Sequence, residues 1–186
     1  MNKRFYSGKT YSHSTGHSCA FRQWRADSHC NLTCLVAEKG IKYILVEKID
    51  KPFSYLVTAG GFNSTVFITD VNGKTLSILD KLPSNELAPS GYDNVLNAPR
   101  GHGWINSLPN TVMWIEPQDS GLIKKKTEFR DAVHTLAYPY DKTNTSVLLK
   151  TTMRLGGVVP LTENDYWVIE SSRVKHSQKI SKFNAT

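Results

Sequence analysis

A chain of 186 residues that is 39% hydrophobic and 21% charged can bury one domain core. It is too apolar and too aromatic for full disorder, and it has no run near the ~18 apolar residues of a membrane span. The net charge of +7 invites a nucleic-acid reading, yet apart from Lys124-Lys125-Lys126 and the tail Arg173, Lys175, Lys179 and Lys182 the basic residues are scattered, so neither a nucleic-acid nor a membrane partner is expected.

Residues 1–39 mix Ser, Thr, His, Cys, Arg and Trp with a period of neither 2 nor 3.6. They are set apart as an atypical segment, disordered or misframed. Met1-Asn2-Lys3-Arg4-Phe5 has a basic opening with no apolar run behind it, so no export signal is expected. Cys19, Cys30 and Cys34 are an odd set in so long a chain, which argues against a disulfide scaffold. His13, His17, Cys19, His29, Cys30 and Cys34 are zinc-type ligands, but their spacings match no standard finger or ribbon, and no metal or other cofactor is assigned.

From Ile41 the pattern becomes strand, turn, strand. Ile41 to Ile49 is rich in β-branched and aromatic residues. Pro52 interrupts, and Phe53 to Thr58 reads as a second strand before the Gly60-Gly61 break. Ser64 to Asp70 alternates as a half-buried strand should, and Asn72-Gly73 is a hairpin signal leading into Thr75 to Leu79. Pro83 to Gly103 is polar and turn-rich. Thr111 to Glu116, Ala132 to Ala137, Ser146 to Lys150, Tyr166 to Glu170 and Lys179 to Phe183 read as further strands, with Asp141 to Asn144 as a turn. No long capped amphipathic helix is found. Short strands at roughly 8–12-residue intervals suggest a sandwich, barrel or propeller. Their grouping in fours over about 40–50 residues favours the propeller. The expected fold is all-β: a partial β-propeller over residues 40–186, with about three blades of four-stranded antiparallel sheets.

Several motifs carry a resemblance. Lys42 to Val46 with Lys51 to Val57, Ser64 to Gly73, Gly91-Tyr92-Asp93-Asn94-Val95 and Ala98-Pro99-Arg100-Gly101 stand in order. Thr111 to Glu116 with Gln118-Asp119, Phe129 to Val133 and Met153-Arg154-Leu155-Gly156-Gly157 follow them. Together they resemble the propeller of prolyl oligopeptidase family serine peptidases, in the glutamyl endopeptidase-like branch. The match runs over residues 41–157, with 172–184 fitting more loosely. Ser120-Gly121-Leu122 and the stretch after Gly157 depart from the family pattern.

The resemblance implies a propeller that caps a C-terminal α/β-hydrolase domain and restricts entry to peptide substrates. It places the catalytic Ser, Asp and His elsewhere. No Gly-x-Ser-x-Gly nucleophile elbow occurs in these residues. Pro89-Ser90-Gly91 and Asp119-Ser120-Gly121 lack its first glycine, and His134 has no evident nucleophile partner. No catalytic residue is assigned, and the chain alone is expected to be inactive.

Glu116, Asp119, Arg130 and Asp131 either line the peptide channel, contact the hydrolase domain or pin a turn, and the turn is favoured for Arg130 and Asp131. Trp104 and Trp114 read as packing aromatics. Asn31, Asn63, Asn144 and Asn184 begin Asn-x-Ser/Thr triplets, which matter only in a secretory pathway. An incomplete ring is expected to self-associate through its open blade edges. The alternative is a stand-alone β-rich binding module.

Overall fold

The computed structural model describes residues 30–37 and 40–185. Along them run β1 (Cys30–Ala37), β2 (Gly40–Ile49), β3 (Ser64–Asp70), β4 (Thr75–Leu82), β5 (Arg100–Trp104) and β6 (Thr111–Pro117). Then come β7 (Asp131–Ala137), β8 (Ser146–Thr151), β9 (Arg154–Pro160), β10 (Asp165–Ser172) and β11 (Ser177–Asn184). The helical pieces among the described residues are three short 3-10 turns. The strands form three antiparallel meanders, ordered β1-β2-β3-β4, β5-β6-β7-β8 and β9-β10-β11. The protein is therefore all-β, and the stack is open and propeller-like. The third sheet has three strands among the described residues, where four per blade are expected.

Period-2 alternation on the middle sheet explains the stacking. On β6, Val112 and Trp114 point to one face and Met113 and Ile115 to the other. The first face joins Leu45, Val66, Ile68 and Leu79 of the first sheet in one core cluster. The second joins Val133 and Leu149 with Leu155, Tyr166 and Val168, which brings in the third sheet. The middle sheet is thus apolar on both faces and sandwiched between its neighbours. Each large aliphatic side chain fully buried this way contributes about 1.5–3 kcal/mol. The first strands β1 and β5 also approach one another.

Most expected strands stand where the pattern places them; β3 and β6 begin where it says. Phe53 to Thr58 is a correction, because no strand forms there. The Ser54 hydroxyl accepts from the amides of Leu56 and Val57 at 2.9 and 3.3 Å, curling the chain, and Phe53, Tyr55 and Leu56 stay exposed. Three strands go unread in the sequence: β1, in the segment set apart as 1–39, β5, most of it in the polar stretch from Pro83 to Gly103, and β9. The segment set apart as 1–39 lies mostly outside the described residues, but Cys30–Ala37 pairs with β2.

Candidate functional site

The strand ends at one pole of the stack are tied together by buried charge. Arg100 opens β5, Asp131 opens β7 and Arg154 opens β9, while Asp119 and Arg130 flank the β6–β7 turn. Arg154 is the hub. Its Nη2 donates to Asp119 Oδ2 at 2.7 Å, its Nη1 to Asp131 Oδ1 at 3.1 Å, and its Nε to the Asp93 carbonyl at 2.7 Å. Asp131 also accepts from Arg100 Nη2 at 2.6 Å and from the Leu155 amide at 2.8 Å. Asp119 accepts from Arg130 Nη1 at 3.0 Å and from the Gly121 amide at 3.0 Å. Both carboxylates are fully buried. A buried charge is tolerable only when paired and hydrogen-bonded in this way.

Asp93 carries the tie to the third sheet. It sits in the left-handed region at φ 62°. Its carboxylate accepts from the Ser172 hydroxyl at 2.7 Å and from the amides of Arg173 and Val174 at 2.8 and 3.2 Å. Burial alone would push its pKa up, but these hydrogen bonds, with Arg154 nearby, hold it below the usual carboxylate value. The neighbouring chain is locked as well. The Val95 amide donates to the Gly121 carbonyl at 3.0 Å, and at Gly121, φ 78°, a Cβ would stand 2.1 Å from the Val95 oxygen.

The residues singled out from the sequence fall into two groups. Asp119, Arg130 and Asp131 meet in this network, so they brace the fold and pin the turn. Glu116 stands apart: it accepts from Trp114 Nε1 at 2.8 Å and lies 3.6 Å from His134 Nε2. Trp114 is buried, and Trp104 packs against the same cluster. Trp114 stacks between His102 and His134, with centroids at 6.2 and 5.7 Å. Ser120 accepts from Lys125 Nζ at 2.8 Å in an exposed turn, and Lys124 to Lys126 are solvated there. Asn63 accepts from the Ser84 amide through its side-chain oxygen. Of the zinc-type candidates, Cys30 and Cys34 lie on β1, and the other four fall outside the described residues. Among the described residues no three His, Cys, Asp or Glu side chains gather as a metal site would require.

Beside the network a cleft of about 560 Å³ opens between the first sheet and β5. Glu47 of β2 and Ser64 of β3 stand on one wall, Arg100 and His102 on the other, and Phe62 and Leu96 are among its apolar lining. His102 is anchored by Asp80 at 2.7 Å. Sequence reading missed Arg100 and Arg154 as charge partners, and Glu47 and His102 as cleft residues. Only their places in ordered motifs, Ala98 to Gly101 and Met153 to Gly157, drew notice to the two arginines.

Comparison with known proteins returns peptidases. Over 131 residues the chain is 30% identical to a protein of Oryza sativa subsp. japonica named "Probable glutamyl endopeptidase, chloroplastic", covering 70% of this chain and 14% of that protein. A protein of the same name from Arabidopsis thaliana is 32% identical over 118 residues, which is 63% of this chain and 12% of that one. No family model and no solved structure matches. The chain is therefore similar to a short stretch of two proteins named as endopeptidases, and spans 12–14% of their length.

Proposed function

We propose that this chain is a segment of the substrate-admitting β-propeller of a prolyl oligopeptidase-type serine peptidase, in the glutamyl endopeptidase branch. The observation that carries the reading is the 30–32% identity to the two relatives over most of this chain and a small part of theirs. The face-to-face stack of four-, four- and three-stranded meanders supports it, because such repetition around an axis is how a propeller is built. The segment's work in that reading is mechanical. It holds a wall of the channel rigid, so that size and polarity select extended peptides, while bond cleavage takes place in a hydrolase domain. The residues of the ion network serve this by fixing the pole of the stack; none of them is assigned a chemical step.

The test is to read the transcript that carries this coding sequence in both directions. Further meanders on one side and an in-frame hydrolase region with Gly-x-Ser-x-Gly on the other are expected. A transcript that encodes no hydrolase region would overturn the peptidase reading and leave a stand-alone β-rich binding module.

A further inference from the structure

Basic residues that lie scattered along the sequence are gathered by the fold. The β4–β5 connection touches three other turns at the pole where the ion network lies. The Ser84 amide donates to Asn63 Oδ1 of the β2–β3 connection at 2.8 Å. The Ile123 amide of the β6–β7 turn donates to Asn94 Oδ1 at 2.9 Å, and the Arg173 amide of the β10–β11 turn donates to Asp93 Oδ1 at 2.8 Å. The four segments therefore form one continuous surface. Exposed on it are Lys51, Lys124, Lys125, Lys126, Arg173 and Lys175, against Glu86 and Glu128 as its exposed acidic residues. At the opposite pole the turns and strand ends carry Asp70, Asp141, Glu163 and Asp165 beside Lys74 and Lys142. Among the described residues, positive charge is thus concentrated at one end of the stack.

The same surface is apolar at its tips. Tyr55 is fully exposed, and Leu56, Leu87 and Tyr92 are 84%, 71% and 69% exposed. The β2–β3 loop holds its tip outward by its own contacts. At its base Phe53 stacks on Phe62 with centroids 5.7 Å apart, and Lys51 Nζ stands 5.9 Å from the Phe53 ring centre. The Ser54 hydroxyl already accepts from the amides of Leu56 and Val57. Sinking this tip into an apolar layer therefore leaves those two amides with their partner, which removes a main cost of insertion.

A soluble polyanion would use the lysines and leave Leu56 and Leu87 in water. An uncharged apolar partner would use the leucines and leave the lysines unmatched. An anionic bilayer surface takes both, with apolar and aromatic side chains at the headgroup–acyl boundary and ammonium groups among the phosphates. We propose that this pole docks on a bilayer surface that carries anionic lipid. Tyr55 and Leu56 enter the boundary, while Lys124 to Lys126 and Arg173 meet lipid phosphates. The expectation of no membrane partner rested on a scatter of charge that the fold removes. The surface lies wholly within this chain, so a transcript without a hydrolase region leaves the proposal standing.

The test is flotation of the full chain with vesicles of phosphatidylcholine alone and of equimolar phosphatidylcholine and phosphatidylglycerol. Heparin serves as a soluble polyanion for comparison. Flotation with the anionic vesicles and not with the neutral ones is expected. Tyr55→Ser with Leu56→Ser should weaken vesicle binding by roughly tenfold or more and leave heparin binding unchanged. Lys124→Gln with Lys126→Gln should weaken both by roughly tenfold. All four side chains are exposed, so the melting temperature should not move in either variant. No flotation with anionic vesicles, or equal flotation with neutral ones, would overturn the proposal. Full vesicle binding by the Tyr55 and Leu56 variant would overturn it too, and would leave an acidic protein or a nucleic acid as the partner of the lysines.

Discussion

Asp93 is one side chain that joins separate parts of the stack. It lies in the connection between the first and second sheets, yet its carboxylate caps the turn between β10 and β11. Because its pKa is lowered by folding, linkage sets the sign. The unfolded chain binds the proton more readily, so the contribution is complete above the unfolded value near ~4 and is lost as pH falls through the folded value. Asn tolerates the left-handed backbone but carries no charge. Asp93→Asn should therefore be less stable than the parent at pH 7, with the gap closing as pH drops below about 4. Urea midpoints of both proteins between pH 7 and pH 3 measure this. A gap of constant size across that range would show that the charge of Asp93 does not matter. Nothing in the local sequence announces this role: Gly91-Tyr92-Asp93-Asn94 reads as a polar turn, and its partners lie 79 to 81 positions away.

Strands declare themselves when their side chains alternate, and that is why some were legible here and others were not. β3 and β6 carry β-branched and aromatic residues with buried and half-buried positions in turn, so both the pattern and its limits can be read. β5 and β9 carry glycines in place of alternating apolar residues. They become strands because β6 and β10 offer free edges and because arginines at their first positions are clamped. The opposite error, at Phe53 to Thr58, came from apolar residues that find no sheet to pack on.

The clamp at those first positions makes a prediction about the joint between the second and third sheets. Asp131 opens β7 and binds the openings of both β5 and β9. Asp131→Ala removes one of the two buried carboxylates that face Arg154, whose side chain is 7% exposed, and leaves Asp119 shared between Arg130 and Arg154. Removal of one partner from such a group costs about 3–5 kcal/mol. Urea denaturation should show a loss of that size, and amide exchange should rise first at β9. A loss below about 1 kcal/mol would match a surface pair instead and sink the idea of a buried clamp.

Both faces of the middle sheet are covered, but no described residue covers the outer face of the third sheet. Val159, Trp167 and Ile180 are 48%, 42% and 61% exposed, and register sets them side by side, with Val159 opposite Trp167 and Ile180 opposite Ile169. The edge strand β11, by contrast, carries Lys179 and Lys182, and Lys182 pairs with Asp165 at 3.2 Å. Lysines blunt an edge against further pairing. Self-association, expected from the sequence at open edges, should therefore run through the face, where apolar surface remains to be buried. The chain on its own should sediment as a concentration-dependent oligomer. Trp167→Lys with Ile180→Lys should shift it to monomer, whereas Gln178→Pro on the β11 edge should not. If the edge variant dissolves the oligomer and the face variant does not, strand pairing is the driving contact. In that case the lysines of β11 are too few to guard the edge.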